Sequence, residues 1–488
     1  MKKIGILVCF ALLISAPVFA NVMAFDISVD TSSGVPEISY RLNESASSVL
    51  IEVFGPLPST TVIGTVPGTT AKGLNTVKWS GSGSIAGQIY GFKVTASDSV
   101  GYGDWTLLND NAELKWDFEQ GRKVIVNNNQ ASPYFGMIYI SCPRDGTTAS
   151  GRDTFDGIYA MYPDGSDPLG IGETPKTGGV DWSTSDWSSP YTLFVGEDDK
   201  LWIADWSDTH SGVWRAEPDL SGSFTEILSP TQPDAIDASG LNSIHGSISG
   251  CYVEGTGSST VLYVQDEDLP DASTDPGRRN YYKYEIGDGP FPWTTAGSIF
   301  LDETNFSSHP QYDVEIGLFV NDTAGTIRKD ASGNWFVHNY RSPQDFPNIM
   351  KFSNDGSTLI WDDVVNGAGG DTGKIVLNGN QGGFDIDFNN NRIVVSAMAN
   401  GFRVFPLDPL PDGDIDTAAT LVPGSDPAVD SGRGICVDAA GNVYCISNLS
   451  ERLAIVSPPG PNSFSTEASE TLTGGSYILS AHNWSLYE

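Results

Sequence analysis

The side chains best suited to chemistry are a few histidines and several short clusters that mix arginine, acid and aromatic residues. The chain has five histidines, His210, His245, His309, His338 and His482. Imidazole is a common metal ligand and general base. Four of them, His210, His245, His309 and His338, could form a metal-binding set if the fold brought them together. The mixed clusters are Arg144, Asp145, Arg152 and Asp153; Asp205, Trp206 and Asp208; Asp266, Glu267, Asp268, Arg278 and Arg279; and His338, Asn339, Tyr340 and Arg341. Trp and Tyr offer flat apolar faces, while Asp, Asn and Arg offer hydrogen bonds, a combination that suits sugars or peptides. From these the candidate ligand-binding residues are Asp205, Trp206, Asp208, Arg278, Arg279, Tyr340 and Arg341. Solvated loop decoration is the competing reading. Asp412, Asp414 and Asp416 have a calcium-like spacing but lack the rest of an EF-type loop. The cofactor these residues could hold is a divalent cation, calcium or a transition metal. No serine elbow, phosphate loop, dinucleotide fingerprint or HExxH motif is present, and no catalytic residue is assigned.

These clusters need elements to carry them. No long stretch keeps apolar residues at helical spacing. Short alternating runs bounded by Gly, Asn, Asp and Pro predict an all-β protein. In 25–104 the runs are Ile38, Tyr40, Leu42; Val49, Ile51, Val53; Val77, Trp79; and Tyr90, Phe92, Val94, Ala96. They predict a small β-sandwich. From 106 to 488 one pattern recurs six times: turn, apolar strand, polar loop, strand. The strand centres are Ile140, Ile203, Val264, Val337, Val395 and Ile446. Intervals of roughly 50 to 75 residues suit four-stranded blades with decorated loops. A β-propeller of six blades is expected, seven being the alternative. An N-terminal strand pairing with the last blade would close the ring and remove its free edges. The turns Asp330 to Asn334 and Asp438 to Asn442 explain tight hairpins, since Gly supplies positive φ and Asp can bond its own turn. In this topology the loops joining second and third strands share a face with the blade-to-blade connections. That face would collect the candidate residues above, with its longest loops in blades one to four.

Two resemblances bear on this reading. The stretches ISYRLNESASSVLIEVFG and KGLNTVKWSGSGSIAGQIYGFKVTASD resemble the Ig-like domain first known from the flagellar hook-capping protein, through Gly73, Asn75, Val77, Trp79, Gly81, Tyr90 and Val94. Ser80 stands where that family often has Asp. The resemblance implies a spacer or docking unit in a secreted bacterial protein. GRGICVDAAGNVYCIS (432–447), with FDIDFNNNRIVVSA (384–397) and IRKDASGNWFVHN (327–339), resembles NHL-type six-bladed propellers. That implies architecture and says little of function, although some propeller lyases do gather histidines around a metal.

Composition narrows the partners. Sixty-one acids against 26 Lys and Arg give a formal net charge of −35. No basic stripe exists to release counterions, so nucleic acid is excluded as a partner and an anionic membrane surface is disfavoured. Residues 1–20 read as a secretory signal: Lys2 and Lys3, an apolar run from Ile4 to Ile14, then Val18 and Ala20 at the small positions of a cleavage site. Cleavage after Ala24 is the other option. The mature chain, with no further membrane-spanning stretch, is expected to be secreted, extracellular or periplasmic. Cys436 and Cys445 flank a hairpin turn and could form a disulfide or stay as buried thiols. Cys142 and Cys251 show no readable pairing. The expected function is binding of an extracellular glycan or cell-surface protein, or a structural role. The alternative is an extracellular lyase, hydrolase or lactonase acting on a sugar, with or without a metal.

Overall fold

A computed structural model describes residues 21–33, 35–80, 87–110, 112–182, 189–207, 212–229, 233–236, 242–244, 248–266, 280–301, 326–338, 349–363, 383–396, 401–411, 420–422, 432–448, 450–471 and 476–477. Apart from two short 3-10 turns, the elements among them are strands.

The N-terminal unit is two four-stranded sheets around one core. One sheet runs Ser476–Tyr477, Ala24–Asp30, Glu37–Leu42, Gly73–Lys78; the other runs Gly460–Thr471, Ile89–Tyr102, Ser48–Phe54, Val62–Pro67. Strand side chains alternate between faces, so Ile38, Tyr40 and Leu42 point inward with Val49, Ile51 and Val53 opposite. Trp79 meets Phe92 edge-on at 6.3 Å. The expected alternation is the one that builds this core.

The repeat region forms a β-propeller of six sheets among the described residues. Blade one is Lys123–Val126, Ile138–Cys142 and Gly157–Met161; blade two is Thr192–Val195, Leu201–Asp205, Gly212–Ala216 and Thr225–Leu228. Blade three is Ile248–Glu254, Val261–Asp266, Asn280–Tyr284 and Ser298–Leu301; blade four is Ile327–Lys329, Trp335–His338, Ile349–Phe352 and Leu359–Asp362. Blade five is Phe384–Asp387, Arg392–Ser396, Phe402–Pro406 and Thr420–Val422. Blade six is Gly432–Val437, Val443–Ser447 and Arg452–Ser457, and its fourth strand is Thr106–Leu107 from the start of the region. Each predicted strand centre lies in the second strand of its blade. A hairpin of Pro233–Ile236 and Asn242–Ile244 stands between blades two and three in sequence.

Polar ties join every neighbouring pair of blades near the innermost strands. Ser141 Oγ donates to the Tyr191 carbonyl, and Thr192 Oγ1 to the Ser249 carbonyl, both at 2.8 Å. Lys329 pairs with Glu254 between blades three and four. Arg328 Nε meets Asp385 Oδ1 at 2.7 Å between four and five. The Val437 amide donates to Asp385 Oδ2 at 2.9 Å between five and six. Asn128 Nδ2 donates to the Val437 carbonyl at 2.8 Å, which closes six onto one.

The two Asp-led turns behave alike. Asp330 Oδ1 accepts from the amides of Ser332 and Asn334, and Asp438 Oδ1 from those of Ala440 and Asn442. The second oxygen of each takes the side chain of Asn334 or Asn442, and that of Asp438 also takes Tyr444 Oη. Gly333 and Gly441 sit at φ 80° and 93°, where a Cβ would be strained.

One sequence expectation needs correction. The segment 106–488 is not all propeller: Gly460–Thr471 pairs along Ile89–Tyr102, and Ser476–Tyr477 pairs with Ala24–Asp30. The chain returns to the sandwich because the 14-residue strand Ile89–Tyr102 has a second edge to satisfy. Hydroxyl pairs Thr95–Ser465 and Ser97–Ser463, both at 2.8 Å, line that ladder. For the cysteines, the structure takes the buried-thiol alternative. Cys436 lies opposite Tyr444, and Cys445 opposite Ile435. The two side chains therefore fall on opposite faces of the sheet and form no disulfide, and the four cysteines among the described residues are buried thiols.

Sandwich and propeller also meet directly. Phe135 stacks on Phe464, with ring centroids 6.2 Å apart, and Phe25 packs on Tyr162 at 4.9 Å. Arg41 bridges Asp26 and Asp164 at 3.0 Å each. Removing 460–488 takes away one edge of the sandwich and the Phe464 stack. Calorimetry of the shortened chain is expected to show a melting point lower by ten degrees or more, or an insoluble product. Native-like melting would refute the role given to this strand.

Candidate ligand-binding face

The loop face is built from the residues where innermost strands begin and second strands end. Arg122 precedes the first strand of blade one, and Tyr191 that of blade two. Asp205 ends the second strand of blade two and Trp206 opens its loop. The Arg122 guanidinium lies 5.8 Å from the Tyr191 ring centre, and Tyr191 lies 6.0 Å from Trp206 at 33° between ring planes. A guanidinium, a buried phenol and a half-buried indole thus lie side by side across the joint of blades one and two, and Trp206 is the more exposed of the two rings; the three are called the platform below.

Asp205 is part of this platform's support. It is wholly buried. Ser189 Oγ donates to its Oδ2 at 2.7 Å and the Ser207 amide to its Oδ1 at 2.9 Å. The sequence reading had it facing a ligand; both its oxygens instead hold the Trp206 loop in place. Arg152 is likewise structural. Its guanidinium donates to the carbonyls of Lys115 and Asp117 at 2.6 and 2.8 Å and lies 4.6 Å from the Phe118 ring. His338 ends the second strand of blade four, as expected, but is wholly buried beside Phe384 of blade five at 6.2 Å. Asp208, His210, His245, Arg278, Arg279, His309, Tyr340 and Arg341 lie outside the described residues, as do Asp412, Asp414 and Asp416. Among the described residues no three His, Cys, Asp or Glu side chains are grouped to hold a metal ion.

A second feature of this face was not read from the sequence. At the joint of blades six and one, the carboxyl of Glu119 hydrogen-bonds that of Glu451. Glu451 sits in the second-to-third loop of blade six with φ 54°, and its Oε2 accepts the Ala149 amide at 2.6 Å. Burial, followed by the Glu451 contact, pushes Glu119 up to about 7, while Arg144 pulls the other way. Nearby, Asp156 is pushed up to about 6, first by burial and then by the charge of Asp145. Arg452 Nε and Ser150 Oγ each bond Asp117 at 2.5 Å and fix the base of the joint. Two carboxyls in direct contact share a proton. The signal missing from the sequence was pairing: Glu451 falls in a predicted short loop, but nothing local points it at Glu119.

The sign of the pH effect follows from these groups. Glu119 and Asp156 hold their protons to higher pH folded than unfolded, so between about pH 4 and 7 the folded chain binds more protons. Stability contributed by these sites then falls as pH rises through that window. Denaturant melts at pH 4.5, 5.5, 6.5 and 7.5 check this. The Glu451→Gln variant, which keeps a hydrogen bond without the second charge, is expected to flatten the slope. An unchanged slope would show that the carboxyl pair does not carry it.

No family model matches the sequence, and no curated protein is found as a relative. Solved structures with a similar course of chain include an auxiliary nutrient binding protein from Bacteroides ovatus, 10% identical, covering 89% of this chain and 98% of its own with a TM-score of 0.40. A glucose dehydrogenase is 11% identical over 73% of this chain and 99% of its own, also at 0.40. The WD40 β-propeller domain of Doa1 is 11% identical over 73% and 97%, at 0.37. At these scores the likenesses carry nothing about ligand or reaction.

Proposed function

We propose that this chain is a secreted binding protein whose propeller presents its loop face to an extracellular glycan or cell-surface protein. The sandwich, read as an Ig-like spacer, sets that face away from its attachment. The observation that carries this reading is the Arg122, Tyr191 and Trp206 platform. The half-buried Trp206 indole, backed by Tyr191 and beside a guanidinium, matches the alternating apolar and hydroxyl surface of a sugar ring. Asp205 holds the platform rigid, so little ordering is lost on binding. A glycan array on the full mature chain, followed by calorimetric titration of the best hit, tests it. Trp206→Ala is expected to weaken binding at least tenfold with the melting point unchanged. Equal affinity would remove the platform from the site.

The enzyme reading rests on a different observation, the Glu119–Glu451 pair, which could donate or accept a proton near neutral pH. The pair acts on no group shown in the structure, and binding remains the favoured function.

Export is part of the proposal. Of the two cleavage options, the one after Ala20 is supported by burial. Asn21, Val22, Met23 and Ala24 are all buried. The Asn21 amide donates to Ser457 Oγ at 2.8 Å, and its Nδ2 to the Ala440 carbonyl at 2.7 Å. Asn43 and Asn442 donate back to the Asn21 carbonyl at 3.0 Å. Cleavage after Ala24 would discard all of these contacts. Intact mass of the exported protein is expected to give Asn21 as the first residue, and a chain starting at Phe25 would overturn this choice.

A further inference from the structure

The chain is poor in cations, with 26 Lys and Arg among 488 residues, yet two of them are buried together where the innermost strands converge. Lys123 is the first residue of blade one's innermost strand and is 4% exposed. Its Nζ has one protein acceptor among the described residues, the Ile435 carbonyl of blade six, at a long 3.5 Å. Arg328, on the innermost strand of blade four, is 8% exposed. Its Nε is taken by Asp385 and its Nη1 by the Ile327 carbonyl at 2.9 Å. Its Nη2 is buried and meets no acceptor among the described residues.

Asp385 cannot balance both cations. Oδ1 is held by Arg328 and Oδ2 by the Val437 amide. Among the described residues the other ionisable neighbours are the thiols of Cys251 and Cys436, which burial keeps protonated. One unit of positive charge is thus left over in a place water reaches poorly. Burial and the field of Arg328 push Lys123 down to about 8, as expected for a cation short of a partner. Space beside it is kept by Gly383, at φ 107°. A Cβ there would come 3.8 Å from Lys123 Nζ and clash at 2.6 Å with Thr326 Oγ1.

We propose that the propeller axis holds an anion-binding site in which Lys123 Nζ and Arg328 Nη2 take a small oxyanion, a phosphate or a carboxylate. Charge-assisted bonds to an oxyanion would satisfy both donors at once. The site differs from the aromatic platform in residues and in ligand chemistry, so either can fail without the other. Bound anion would also tie blade one to blade four across the ring and stabilise the folded state by mass action.

The test uses the full mature chain and two probes, inorganic phosphate and acetate, with ionic strength held constant by sodium chloride. One of them is expected to raise the melting point by several degrees in a saturable way; which one does so identifies the oxyanion class. Lys123→Met removes a costly buried charge, so it should fold and melt no lower, yet lose the response. A selenate soak read by anomalous scattering needs no substitution and should place density within hydrogen-bond reach of Lys123 Nζ and Arg328 Nη2. The proposal is overturned if neither probe shifts melting, if Lys123→Met responds like the parent, or if the selenate binds only elsewhere.

Discussion

The two ends of the chain are held together by one antiparallel ribbon, and both halves of the molecule depend on it. Running one way are Ile89–Tyr102 and Thr106–Leu107; running the other are Arg452–Ser457 and Gly460–Thr471. The first part of the ribbon completes the sandwich, and the second supplies the fourth strand of blade six. A propeller without such closure would leave the last blade with an open edge, and the sandwich would have one too. Closing a loop of this length costs conformational entropy only once, because entropy grows slowly with loop length. Both units share that single cost. The sandwich has its own core, but Met23 and Phe25 join the core of blade one, and Phe135 on Phe464 and Phe25 on Tyr162 bind the relative placement at the ribbon's side.

Within the ring, rigidity comes from polar ties laid over apolar packing. Blades pack through large buried side chains such as Trp202, Trp335 and Tyr282, which is non-directional. The bonds between Ser141 and Tyr191, Thr192 and Ser249, and Arg328 and Asp385 add direction, because a buried polar group is costly unless it meets its partner. Asp330 and Asp438 do the same for the outer turns. Asp205 extends this logic to the loop face. It is an acid spent on holding a loop rather than on meeting a ligand, which leaves Trp206 as the exposed part of that unit.

Charge is distributed against the overall balance. The protein is strongly acidic, and at the joint of blades six and one burial, followed by the neighbouring Glu451, pushes Glu119 up to about 7. The axis is the opposite, with Lys123 and Arg328 facing one carboxylate. A field set by net charge would repel an anion, but at contact distance in a water-poor interior the local pair dominates. The face therefore combines three environments within one ring: an aromatic platform, a proton-sharing acid pair and a cationic axis.

Local pattern was enough to determine the strands. Period-two alternation marked the sandwich core from Ile38 to Ala96, and six turn-strand-loop-strand segments marked the blades, because strand burial is written in neighbouring residues. The Asp and Gly turns were legible for the same reason: their bonds close within five residues. Tertiary structure alone decided whatever depends on contacts between distant segments. It returned Gly460–Thr471 to the sandwich and offset Cys436 from Cys445 by one register position. It also buried Asp205 and His338, set Glu119 against Glu451, and buried Lys123 within the field of Arg328. A residue's type states which bonds it can make; only the fold determines which partners are in reach and how much water competes with them.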